Sequence, residues 1–95
     1  MSLTGKQKNL LRKSAHKLKP VVLVGGSGLT ESVLKEIELT LAHHELIKVK
    51  ISAEEKATKR QMINEIQLKT RAEIVQTIGH TLVIFKPSDA KKYPE

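Results

Sequence analysis

Gly25-Gly26-Ser27-Gly28 stands between the apolar run Val21-Val22-Leu23-Val24 and a helical pattern that begins at Thr30. Glycine has no Cβ, so the backbone there can take positive φ and another molecule can come close to it. The loop delivers the chain to a helix N-terminus, where N–H groups without intrahelical partners and the positive end of the dipole favour an anion. Phosphate is the anion this G-x-x-G spacing suits. Gly25 and Gly28 would hold the turn, Gly26 and Ser27 would form its tip, and Thr30 would cap the helix. N–H groups around Ser27 to Glu31 would then face the phosphate. A glycine-rich strand-to-helix turn is also often no more than a tight connection.

A second set of residues lies just upstream. Lys6, Lys8, Arg12, Lys13, Lys17 and Lys19 fall within the first 20 residues, which contain no acid, whereas the rest of the chain holds 11 basic and 10 acidic residues. The net charge of +7 is therefore concentrated in one segment, the footprint of a polyanion-binding face. The bland counterpart is a solvated basic helix that aids solubility. At about 100° per residue, Lys6, Lys13 and Lys17 share one side of such a helix, with Arg12, Lys8 and Lys19 at its edges. Lys48 and Lys50 alternate with Ile47, Val49 and Ile51, which gives a strand one apolar and one basic face. They either extend the basic surface or are simply solvated. With one Phe, one Tyr and no Trp, platforms for stacking single-stranded bases are nearly absent, and Phe85 reads as core. Recognition should lean on shape and backbone, which suits folded RNA.

Catalytic alternatives are weak. The glycine loop is neither G-x-G-x-x-G nor the G-x-x-x-x-G-K-[ST] of a phosphate-binding NTPase, since no lysine follows Gly28. His43 and His44 are adjacent on a helix and do not share a face as i, i+4 metal ligands do; His44 reads as a cap or partly buried residue and His43 as exposed. No Ser/His/Asp set or carboxylate pair stands out. No catalytic residue, metal ligand or cofactor is expected, and no enzyme. The chain has no cysteine, which excludes disulfides and thiolate metal sites. No apolar run approaches the 18 or so residues of a membrane span, and an apolar signal-peptide core is missing at the start. The expectation is a cytoplasmic protein, a monomer without a membrane partner.

The elements that must position these residues follow from periodicity. Thr4 and Gln7 form a capping box for a helix whose apolar stripe is Leu11, Ala15 and Leu18 and which Pro20 ends. Val21–Val24 reads as a strand buried on both faces. Thr30 caps a helix running to about Glu45, with Val33, Leu34, Ile37, Leu41 and His44 along its stripe. Leu46–Ile51 is a strand, and a third helix spans about Glu54–Thr70 with Ala57, Met62, Ile63 and Ile66 inward. Strands Glu73–Ile78 and Thr81–Lys86 join through the hairpin signal Gly79-His80. The order is helix-strand-helix-strand-helix-strand-strand, an α/β two-layer sandwich with a four-stranded mixed sheet and its second and third helices on one face. Residues 1–87 form the single domain, and 88–95 a polar C-terminal tail.

Leu-Lys-Pro-Val-Val-Leu-Val, Gly-Gly-Ser-Gly-Leu-Thr, Ala42-His43-His44-Glu45-Leu46-Ile47-Lys48-Val49-Lys50 and Val75-Gln76-Thr77-Ile78-Gly79-His80-Thr81-Leu82-Val83 together resemble the CRM (chloroplast RNA splicing and ribosome maturation) domain. Within it, the likeness is to small free-standing bacterial YhbY-type proteins. The resemblance implies an RNA-binding domain similar in fold to the C-terminal domain of a bacterial translation initiation factor, with Gly25 to Gly28 as the RNA-contacting turn. It also implies ribosomal precursor RNA, in pre-large-subunit particles, as partner. Many members carry a basic residue directly after the first glycine, where this chain has Gly26. That leaves backbone N–H groups and the basic helix to carry the phosphate contact. The alternative function is an adaptor whose basic helix docks on an acidic protein.

Overall fold

The first helix exists because its N-terminus is closed by side chains. In the computed structural model, which describes residues 3–26 and 28–88, Thr4 Oγ1 accepts from Gln7 N at 3.1 Å and Gln7 Oε1 accepts from Thr4 N at 2.8 Å. Helix α1 runs Gly5–Ala15. It does not continue to Lys19. His16 N donates to both Arg12 O and Lys13 O, and Leu18 N donates to Ala15 O at 2.9 Å, so the chain tightens into a turn. Pro20 holds Lys19 out of the α region and Leu18 drops from beyond the helix into the same apolar cluster as Leu11 and Ala15.

The remaining elements are β1 (Pro20–Val24), α2 (Glu31–His44), β2 (Leu46–Ile51), α3 (Lys56–Thr70), β3 (Glu73–Ile78) and β4 (Thr81–Phe85). The sheet order is β1-β2-β4-β3. β1 and β2 are parallel, and β4 runs antiparallel to both β2 and β3. Two β-α-β connections therefore place α2 and α3 over one face, here called the front. Val22, Val24, Ile37, Leu41, Ile47, Val49, Ile51, Ile66, Leu82 and Ile84 fill the space between. α1 lies against the back, where Leu11, Ala15, Leu46, Val75, Val83 and Phe85 form a second cluster. The sandwich thus carries a partial third layer.

Strand β2 alternates strictly, with Ile47, Val49 and Ile51 in the front core and Leu46 under α1. Strand β1 departs from the expected double burial: Val22 and Val24 are buried, but Val21 and Leu23 are 51% and 59% exposed. The reason is topological. β1 is an edge strand, and α1 packs over the β2 and β3 side of the back face. Two helical expectations also change. Ala57 is exposed one residue inside α3, and His44 is exposed, while Glu45 is fully buried. Glu45 ends α2 with φ of 64°; its carbonyl accepts from Lys86 N at 2.9 Å and its carboxylate from the Ser88 hydroxyl. Ordered contact thus extends into the first residue of the expected tail, and 89–95 lie outside the described residues.

Candidate nucleic-acid interface

On α1, the turn at His16 decides which cations share a face. Leu11 and Ala15 point into the sheet. At about 100° per residue, Asn9, Arg12 and Lys13 fall on one flank. Arg12 Nη1 donates to Asn9 Oδ1 at 3.3 Å, which steadies the guanidinium on that side. The flank faces the back of the sheet and closes a groove of about 340 Å³ whose walls include Arg12, Lys13, His16, Lys48 and Gln76 and whose floor is Ala15, Ile78 and Val83. No carboxylate lines it. Lys48 is half-buried there, opposite Val83 on β4, and the next outward residue, Lys50, is exposed opposite Thr81.

The other predicted cations separate. Lys6 is exposed on α1, and Lys8 is half-buried because it falls toward the helix seam. Lys17 and Lys19 are not helical; they line a second groove with Leu18, Val21 and His44, near the start of β1. The expected single file of Lys6, Lys13 and Lys17 is therefore broken after Lys13.

The glycine loop sits at the far end of β1, five residues on, or about 16 Å at 3.3 Å per residue. Gly28 N donates to Gly25 O at 3.0 Å, and Thr30 N donates to Gly28 O at 3.2 Å. Gly28 has φ of +76°, the left-handed conformation that glycine adopts without cost. Thr30 Oγ1 accepts from Val33 N at 3.2 Å and caps α2. The Gly28 and Thr30 amides are thus engaged within the loop rather than aimed outward. Gly26 is exposed with open space around it, and Ser27 lies outside the described residues.

Several residues beside the grooves were not among those singled out by sequence. Asn9 carries a spacing signal, three residues before Arg12. Gln76 joins the back face only because the β3 register shifts between Ile74 and Gln76, which no periodicity shows. Lys56, Lys59 and Arg60 gather on the front side near Thr77, where Lys59 Nζ donates to Gly79 O at 2.6 Å. Among the described residues, no group of three or more His, Cys, Asp or Glu side chains could hold a metal ion, and no helix is long and apolar enough to cross a membrane.

The model of the CRS1/YhbY (CRM) domain matches residues 3–86. The chain belongs to this family. The CRM match takes in α1, the glycine loop and all four strands. An RNA-binding protein of Haemophilus influenzae is 54% identical over 91 residues, covering 96% of this chain and 92% of the relative. YqeI of Bacillus subtilis, named a probable RNA-binding protein, is 39% identical over 93 residues, covering 98% and 97%. The solution structure of a hypothetical Staphylococcus aureus protein superposes with a TM-score of 0.80 at 39% identity, over 93% of this chain and 92% of that one. The three helices and four-stranded mixed sheet of this CRM chain match that fold.

Proposed function

We propose that this chain is a non-catalytic RNA-binding protein whose RNA is a ribosomal precursor in assembling large subunits. The observation that carries RNA binding is the acid-free groove in which Arg12 and Lys13 of α1 meet Lys48 of β2. Three cations brought together by two separate elements supply the phosphate contacts that position a protein on a polyanion. Names of the CRM relatives support the same partner class. The choice of ribosomal precursor RNA rests on the family resemblance. In this reading the back face holds the backbone, Lys50 and Lys6 extend the track, Lys17 and Lys19 hold a further turn of it, and the glycine loop approaches a phosphate through Gly26. The protein acts as a cytoplasmic monomer.

The test is sedimentation of cell extract with and without ribonuclease, followed by sequencing of RNA crosslinked to the full chain. The expected result is co-sedimentation with large-subunit precursors, release by ribonuclease, and crosslinks within their RNA. Retention on an acidic protein after ribonuclease treatment, with no RNA crosslink, would overturn the reading in favour of an adaptor.

A further inference from the structure

The groove under α1 has a feature that phosphate binding does not require. Between its cations lies an apolar floor, Val83 buried and Ile78 54% exposed, and beside that floor stands the primary amide of Gln76. A track for phosphates alone needs charge and no hydrophobic surface. Apolar surface beside a side-chain amide suits a nucleobase, which buries its faces and hydrogen-bonds at its edge. The volume of about 340 Å³ sits at the small end of ligand sites, about 300–1,000 Å³, a size for one nucleotide and not for a paired helix.

We propose that this groove holds a single unpaired adenine of the bound RNA, stacked against Arg12 and read at its edge by Gln76. The inference rests on the RNA-binding reading above and names what the RNA must present. Among the described residues no Phe, Tyr or Trp ring is on offer for stacking, since Phe85 is fully buried, and the His16 imidazole on the wall is the one ring beside the groove. A guanidinium plane can replace it, and the Arg12 guanidinium is held by Asn9. The Gln76 amide carries an acceptor oxygen and a donor NH2 on one carbon, the complement of adenine N6 and N7. Lys13 and Lys48 flank the groove on two sides, so phosphates on either side of the extruded nucleotide each meet a cation.

The experiment compares RNA hairpins of one stem sequence, fully paired or carrying a single bulged A, G, C or U, titrated against the full chain by fluorescence anisotropy. The expected result is affinity for the adenine bulge at least about fivefold above the paired stem and the other bulges, a difference of about 1 kcal/mol. Gln76→Ala removes the preference among bases, read as the ratio of bulged to paired affinity within the same variant. Arg12→Lys keeps the charge but loses the planar surface; it lies on an exposed helix flank, so it tests the stack even where a change at Gln76 disturbs β3. It removes the adenine gain with the salt dependence unaltered. If wild-type protein binds paired and adenine-bulged hairpins alike, the adenine site is overturned while RNA binding stands. If no hairpin binds even at low salt, RNA binding is overturned with it.

Discussion

Gly28 fixes the geometry of the glycine loop with one dihedral angle. Its φ of +76° costs a residue with a Cβ about 1–2 kcal/mol, and a Cβ there would meet only the Met62 methyl, Cε, at 3.8 Å, an ordinary contact. Backbone strain is therefore the whole penalty. Gly28→Ala is expected to lower the melting temperature by roughly 4–8 °C per kcal/mol for a domain of this length. Gly25 contributes a carbonyl to the turn, which any residue supplies, and Gly26 faces open space. Gly26→Lys is thus expected to leave the melting temperature unchanged and, if the loop approaches phosphate as proposed, to tighten RNA binding by adding a cation there. Thermal melts and RNA titrations of both variants decide the matter. A lysine that gains nothing shows that the loop is only a connection and that α1 and the sheet act without it.

At the scale of elements, the alternation of β2 separates core residues from basic ones along one strand. Val49 is fully buried under α2 and α3, and Lys50, its neighbour, is exposed on the back. Val49→Asp places an unpaired charge in the front core, a cost of several kcal/mol against a total stability of about 5–15 kcal/mol for a domain. Lys50→Glu should change stability by less than about 0.5 kcal/mol and weaken RNA binding. Urea unfolding and RNA titration of the pair check this; equal tolerance of both changes would reverse the assigned faces. This strand was legible in the sequence because its pattern is local, as were the Thr4-Gln7 capping box and the Thr30 cap. What was not legible depends on distant neighbours. Val21 and Leu23 read as buried because their types are apolar, and only the sheet order shows that β1 is an edge. Lys17 read as helical because nothing near it in sequence shows Leu18 falling into the cluster under α1. Gln76 reached the groove through a shifted register in β3, invisible to any period of two. So the sequence pointed to the glycine loop and α1 as candidate binding elements, with β2 either an extension or simply solvated, but not to the groove between α1 and the sheet.

For the whole molecule, the question is whether RNA binding follows total charge or its location. The net charge of +7 would draw a polyanion to any surface at long range. Among the described residues, two of the basic clusters lie on opposite sides of the sheet, Arg12, Lys13 and Lys48 behind it and Lys56, Lys59 and Arg60 in front. They differ in what surrounds them. Neither groove has a carboxylate in its walls, but the back cluster draws its cations from both α1 and β2, while the front one lies on α3 alone and has Lys59 tied to the Gly79 carbonyl. Two double variants remove the same charge from each side: Lys13→Ala with Lys48→Ala, and Lys56→Ala with Arg60→Ala. If net charge alone governed binding, both would weaken it equally. A defined back-face site releases fewer counterions only when its own cations are removed. The back-face pair is therefore expected to lower the slope of log affinity against log salt by about 1.4–1.8, or 0.7–0.9 for each phosphate no longer neutralised. The front-face pair should leave the slope unchanged and shift affinity slightly at low salt. Both pairs replace side chains on the surface or at its edge, so unfolding midpoints should stay near that of the unaltered chain. Titrations of one RNA across a salt series distinguish the cases, and an equal fall in slope from the two pairs would remove the back face as the binding site.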